Sequence, residues 1–209
     1  MRTLFTLDKK GIGSALILGL LLLIFGGISF LLIMLLFLVL SSFVTYYGVK
    51  AKSSMQLFEK SRSWKNVVAN GIVPLFVSIA YYFNPSIELI FVYVVSVAAV
   101  TADKFASEIG VLDGIPRSIL NFKKVKKGTS GGVTLLGIFA SLLGSFLISI
   151  VLIPFGIYLV IISTILGLFG SIVDSISGVF EEKGYGNKYT SNILCSLSAS
   201  ILAYLILLA

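Results

Sequence analysis

Residues Ala15 to Tyr47 read ALILGLLLLIFGGISFLLIMLLFLVLSSFVTYY, 33 positions without a single charge. At about 1.5 Å per residue this is too long for one helix across a hydrocarbon core of about 30 Å. It is slightly short for two full crossings. Gly26, Gly27 and Ser29 lie at its middle, where the chain can turn, so the stretch predicts a helical hairpin.

Further apolar spans follow at Val67 to Phe83, Ile87 to Phe105, Val133 to Val151, Phe155 to Gly178 and Ser191 to Leu208. Across the 209 residues, 57% are hydrophobic and 12% charged, far from the roughly 25% charged of soluble domains. There is no cleavable-signal layout, because the first apolar stretch runs far beyond a signal core. The expected fold is an all-α integral membrane protein, a single transmembrane domain over residues 1–209.

The cations test the span count. All sixteen Lys and Arg fall into four clusters. Arg2, Lys9 and Lys10 form the tail; Lys50, Lys52, Lys60, Arg62 and Lys65 come next; Lys104, Arg117, Lys123, Lys124, Lys126 and Lys127 follow; Lys183 and Lys188 are last. The turns near Gly26, Asn84-Pro85 and Pro154 hold none. Short cytoplasmic loops are enriched in Lys and Arg, so four clusters on one side require two spans between each consecutive pair. That parity gives seven helices, N-terminus cytoplasmic, C-terminus outside. A single helix over Ala15 to Tyr47 would strand the tail on the wrong side.

Composition removes several chemistries. With no His, mechanisms needing an imidazole base or ligand are excluded. Lone Cys195 builds neither an intramolecular disulfide nor a thiolate metal site. The +7 net charge sits in membrane-flanking loops, where it serves topology and anionic headgroups, so nucleic acid is not an expected partner.

Polar residues at membrane depth carry the functional signal, since a carboxylate near the bilayer centre costs about 2.5–3.5 kcal/mol and is commonly functional. At the end of the fourth span, Thr101, Lys104 and Glu108 share one stripe, while Asp103 and Ser107 share the next. The bland alternative there is a helix end with an i,i+4 pair between Lys104 and Glu108. In the sixth span, Gly167, Gly170, Asp174 and Gly178 form a second stripe, in which glycines let another helix approach a buried carboxylate.

Between them runs Asn121-Phe-Lys123-Lys124-Val-Lys126-Lys127-Gly128-Thr129-Ser130-Gly131-Gly132, leading into the fifth span. Glycines allow close backbone approach, a helix start offers free N–H groups, and four lysines offer charge. A di- or triphosphate needs that combination. The plainer alternative is a basic juxtamembrane loop with Thr129 or Ser130 as helix N-cap. Asp103, Glu108 and Asp174 are the candidate ligands for Mg²⁺, which prefers one or two carboxylates together with phosphate oxygens. Phosphoryl transfer rests mostly on positioning and electrostatics, and none of this needs His.

Four segments carry a resemblance: Asn66-Val-Val-Ala-Asn70-Gly71, Ala102-Asp103-Lys-Phe-Ala-Ser107-Glu108-Ile-Gly110, Lys127-Gly128-Thr129-Ser130-Gly131-Gly132-Val133 and Gly170-Ser171-Ile-Val-Asp174-Ser175. In that order they resemble the motifs of the membrane phytyl-phosphate (polyprenyl-phosphate) kinase family, once known as domain of unknown function 92. The likeness spans about Ser41 to Gly178. It implies a Mg²⁺-dependent kinase that converts a prenyl monophosphate, phytyl or geranylgeranyl, to the diphosphate at the cytoplasmic face, with CTP as donor by kinship with phytol and dolichol kinases. Carried over by analogy, Asp103, Glu108 and Asp174 form the acidic catalytic and metal centre. Lys127, Gly128, Thr129, Ser130, Gly131 and Gly132 form the phosphate loop, joined by Lys123, Lys124, Lys126, Lys104, Ser107 and Asn70 as nucleotide or phosphate ligands. Where the family has Thr-Trp after the first Asp, this chain has Lys104-Phe105, so Lys104 is either an extra phosphate ligand or a neutraliser of Asp103.

Other readings of the same residues are a lipid-alcohol kinase or cytidylyltransferase, a cation- or proton-coupled transporter relaying charge through Asp103 and Asp174, and a scaffold. An oligomer is compatible with all of them. Glu181-Glu182-Lys183-Gly184-Tyr185-Gly186-Asn187-Lys188 reads as a cytoplasmic loop over the site, its acidic pair solvated and Asn192 opening the last helix. A short, Lys-rich chain without a transit segment points to a prokaryotic plasma membrane.

Overall fold

A computed structural model describes residues 6–59 and 61–208. Arg2 and Lys60, counted in the basic clusters, lie outside the described residues. The fold is almost entirely helical: α1 (Lys9–Tyr46), α2 (Val49–Ser54), α3 (Trp64–Phe83), α4 (Ile87–Gly110), α5 (Leu135–Ser149), α6 (Ile157–Glu181) and α7 (Lys188–Leu208). A 3₁₀ segment, Ile150–Phe155, extends α5, and two short strands, β1 (Arg117–Ser118) and β2 (Gly132–Val133), pair antiparallel between α4 and α5. Six helices, all but α2, are long and apolar enough to cross a membrane.

α1 contains 38 residues and would reach about 57 Å if straight. It is not straight. Gly27 holds φ 71° and ψ −173°, breaking the helix into two arms, and this backbone region is essentially restricted to glycine. Neighbouring Gly26 leaves the space that the Phe30 ring occupies; a Cβ there would sit 2.3 Å from Phe30 Cδ2. Phe30 in turn stacks on Tyr93 of α4 at 3.9 Å, and the Tyr93 hydroxyl donates to the Phe30 carbonyl at 2.7 Å. The turn is therefore fastened to the centre of the bundle.

Both ends of α1 return to one residue. The Asp8 amide donates to the Arg62 carbonyl at 3.1 Å, and the Arg62 guanidinium donates to Thr45 Oγ1 at 2.8 Å. The expected hairpin is thus present, and its two arms with the five other long helices are consistent with the seven helices expected. The other basic clusters meet at the same end. Lys188 pairs with Glu59 at 2.9 Å, and Gly128 packs against Leu57. The described members of the four clusters therefore gather at one end of the bundle.

α4 is the central helix. It packs against α1, α3, α5, α6 and α7, and from Phe91 to Ala102 every residue is buried. A helix apolar on all sides belongs in the interior. Small residues let neighbours close on it: Gly170 of α6 meets Ala99, and Gly167 meets the Ala98 backbone. The glycine stripe therefore does bring α6 onto α4.

Three local expectations are corrected. The glycine-lysine loop does not run straight into α5, because Gly132 and Val133 first pair with Arg117 and Ser118 as a small sheet. The N-cap of α5 is Thr134, whose hydroxyl accepts from the Gly137 amide at 3.0 Å, rather than Thr129 or Ser130. Asn192 does not open the last helix; α7 begins at Lys188 and Asn192 is buried in its second turn.

Candidate functional site

At the basic face a cavity of about 550 Å³ opens among α3, α4, α6, α7 and the glycine-lysine loop. That volume falls within the roughly 300–1,000 Å³ of small-molecule sites. Most of the expected residues line it: Asn70, Asp103, Lys104, Ser107, Glu108, Asp174 and the loop from Lys127 to Gly132. Lys123, Lys124 and Lys126 do not. They are exposed on the outer limb of the loop, where the plain reading as juxtamembrane charge suffices.

The acidic centre has two members. Ala99 and Gly170 touch, and four residues further along each parallel helix Asp103 and Asp174 come close to each other. Asp174 Oδ1 is buried with no hydrogen-bond partner. Such an atom costs free energy unless something fills its lone pairs. Among the described residues no three carboxylates, thiols or imidazoles come together, so the expected triad of Asp103, Glu108 and Asp174 is not formed. The pair with its orphaned oxygen would suit a hard divalent cation such as Mg²⁺, which prefers one or two carboxylates together with phosphate oxygens.

Glu108 is occupied otherwise. Its Oε2 lies 2.7 Å from Lys52 Nζ, and its Oε1 lies 3.2 Å from the Arg62 guanidinium and pairs with Lys104. Thr45 Oγ1 also donates to Oε1, at 3.1 Å. The i,i+4 pair is thus real, but it is one part of a cage of three cations. Lys52 is fully buried and also donates to the carbonyls of Val44 and Thr45 at 2.9 and 2.6 Å, which closes the end of α1. It reaches back because Gly48, at φ 65°, turns α2 against α1. Burial pushes the Arg62 pKa below its ordinary value, opposed by the charges of Glu108, Glu59 and Asp103. Arg62 and Lys104 line the cavity and Lys52 does not. Lys104 therefore faces Glu108 rather than neutralising Asp103.

The loop stands on α6. Gly131, at φ +75°, lies so close that a Cβ would come within 2.6 Å of the Ser175 carbonyl and 2.8 Å of the Val179 amide, while a Cβ on Gly178 would meet the Gly131 amide at 2.7 Å. The Ser130 amide donates to Glu182 at 2.9 Å, and Glu181 accepts from Ser191. Glu181 is half-buried and Glu182 exposed, yet each accepts a hydrogen bond, so the acidic pair is not merely solvated charge. The start of α5 is also spoken for, since the Leu136 amide donates to Asp113 and the Gly137 amide to Thr134. A phosphate at this loop would meet the side chains of Lys127, Thr129 and Ser130 rather than a free helix end.

The sequence reading missed Lys52, Arg62, Asn66, Ser171, Ser175, Glu181 and Lys188, of which all but Lys52 border the cavity. In the sequence Arg62 reads as a topology marker and Lys188 as the end of a loop over the site, neither as a residue of the site itself. Their one available signal was position, since each flanks a span whose polar end faces the same side.

The family description integral membrane protein DUF92 matches residues 2–201. The chain belongs to the DUF92 family of integral membrane proteins. It is similar to the uncharacterized membrane protein MJ0933 of Methanocaldococcus jannaschii, 38% identical over 204 residues that cover 96% of this chain and 85% of the relative. It is also similar to Protein PGR of Arabidopsis thaliana, 41% identical over 96 residues, 39% of this chain and 33% of that protein. No solved structure gives a significant match.

Proposed function

We propose that this DUF92 protein is a prenyl-phosphate kinase, transferring the terminal phosphoryl group of a nucleoside triphosphate to a prenyl monophosphate in the membrane. The carrying observation is the facing pair Asp103 and Asp174, with the orphaned Oδ1 of Asp174, set in a cavity whose other walls are Arg62, Lys104 and the Lys127–Gly132 loop. The acid pair, with Glu181 near it and the cations Arg62, Lys104, Lys127 and Lys188 lining the same cavity, suits a metal-bound polyphosphate meeting a second phosphate. The family resemblance supports CTP as the donor and a phytyl or geranylgeranyl acceptor.

In this reading Asp103 and Asp174 hold Mg²⁺, which supplies neutralisation of the phosphate charge. Lys127, Thr129 and Ser130 hold the donor phosphates, while Arg62 and Lys104 face the acceptor phosphate. A phosphate oxygen of the acceptor forms the new P–O bond as the bond from the terminal phosphorus to the nucleoside diphosphate breaks. With a second pKa near 6, that oxygen is largely deprotonated at neutral pH, so a protein without His needs no base. Glu108 acts indirectly, holding Arg62 and Lys104 in place. The cationic wall favours an anionic acceptor over a free lipid alcohol.

The test is transfer from γ-labelled CTP, ATP, GTP or UTP to geranylgeranyl monophosphate by detergent-purified protein with Mg²⁺, using Asp174→Asn as control. Labelled diphosphate from the wild type alone is expected. Folded protein that transfers with no nucleotide overturns the assignment, and transfer only to geranylgeraniol moves it to a lipid-alcohol kinase.

A further inference from the structure

Beside the main cavity lies a smaller apolar slot of about 80 Å³, several times the roughly 10–15 Å³ that one water occupies on the same measure. Its walls are the two arms of α1, through Ala15, Leu18 and Gly19 on one side and Leu31, Leu35 and Leu38 on the other, closed by Val67 and Gly71 of α3. Small residues set its width. Gly71 is so close to the first arm that a Cβ would lie 2.3 Å from Leu18 Cδ2. Leu35, at the slot, is 43% exposed, so one wall of the slot reaches the apolar outer surface of the bundle.

Its inner end is polar and is not separate from the candidate site. Phe37, Arg62, Asn66 and Asn70 line both the slot and the main cavity. The two spaces form one amphipathic path: apolar in the membrane, then an arginine more than nine-tenths buried, then the Asp103 and Asp174 pair. A molecule fitting that path has a hydrocarbon chain and an anionic head, and it can enter sideways from the bilayer.

We infer that the slot between the arms of α1 and α3 receives the isoprenoid chain of the acceptor, with its phosphate held at Arg62. The inference rests on the prenyl-phosphate reading above and adds where the chain lies and what measures it. Arg62 both ties the ends of the hairpin together and faces the phosphate, so the α1 hairpin is the element that couples chain recognition to the site.

The experiment uses the full chain in nanodiscs with geranylgeranyl monophosphate carrying a diazirine on its chain, followed by peptide mapping. Label on residues 15–19, 31–38 or 67–71, displaced by unlabelled geranylgeranyl monophosphate, is expected. Label confined to α5, α6 or α7, or slot label that competitor does not displace, overturns the inference. A second arm narrows the slot with Ala15→Leu and, separately, Gly19→Leu. If phosphoryl transfer occurs, the kcat/KM preference for geranylgeranyl over dimethylallyl monophosphate falls about tenfold through KM, as exclusion of roughly two methylenes predicts. An unchanged preference overturns the slot. The two readings fail separately: displaceable slot label without transfer sinks the kinase and keeps the slot, and transfer with label elsewhere does the reverse.

Discussion

The Arg62 guanidinium lies 3.2 Å from Glu108 Oε1, with Lys52 and Lys104 on the same carboxylate. One anion thus organises three buried or half-buried cations drawn from the linker after α1 and from α4. Removing one partner from a buried charge cluster is far more damaging than losing a surface pair, because the partners left behind stay desolvated. Glu108→Gln is expected to lower stability by about 3–5 kcal/mol. Lys188→Met, which deletes a pair half-exposed on both sides, is expected to cost about 0–1 kcal/mol. Unfolding temperatures of both variants in one detergent check this, and equal shifts would show that the cage does not hold the fold.

The hairpin at Gly27 makes a topological prediction. Cysteines at Lys9, Lys127 and Gly184 are expected to react with an impermeant maleimide from the same side of sealed vesicles, and a cysteine at Asn84 from the other. Cys195, the sole native thiol, is buried, so background labelling is low. If α1 were one continuous span, the Lys9→Cys protein would label from the side of Asn84.

The hairpin, and with it the expectation of seven helices, was legible because charge parity is a global constraint that needs no coordinates. The Gly167–Gly178 stripe was legible too, since its spacing matches a helix and its job is close approach. The Glu108 cage was not. Lys52 and Arg62 lie 56 and 46 residues from Glu108 in sequence, and a basic loop residue looks identical whether it faces water or folds back into a helix end. The same limit hid the role of Glu182, whose bond to the Ser130 amide spans 52 residues. Thr134 as the cap of α5 competes in sequence with Thr129 and Ser130, hydroxyls about one turn earlier beside glycines, and only the β1–β2 pairing decides between them.

The glycine-lysine loop is fixed to α6 at Gly131, where positive φ and backbone contact coincide. Gly131→Val adds a β-branched side chain where neither φ nor space permits it, so the loop has to lift from Ser175 and Val179. Faster tryptic cleavage at Lys126 and Lys127 is the expected readout, together with a more than tenfold loss of phosphoryl transfer if the proposed activity holds. Gly114→Ala, where φ is not positive and nothing lies within 4 Å of the new Cβ, is the neutral comparison. Equal cleavage rates in the two variants would separate the loop from α6.

Asp174→Asn separates a functional carboxylate from a structural one. If Asp174 served only to bond across the bundle, an amide of the same shape would be tolerated or would lose a contact, leaving stability equal or lower. In the structure its Oδ1 bonds to nothing and its neighbour is another carboxylate, Asp103. Two carboxyl groups buried at close range leave the metal-free fold with either like-charge repulsion or the cost of holding a proton between them. The amide removes one of them, so Asp174→Asn is expected to raise the stability of metal-free protein by about 1 kcal/mol, or roughly 2–4 °C in Tm for a chain of this size. If the proposed activity holds, the same change removes Mg²⁺-dependent stabilisation and cuts phosphoryl transfer by at least about 10²-fold. Opposite signs for stability and activity are what a site strained for function produces. A variant that is destabilised, yet still stabilised by Mg²⁺, would place the metal and the chemistry elsewhere.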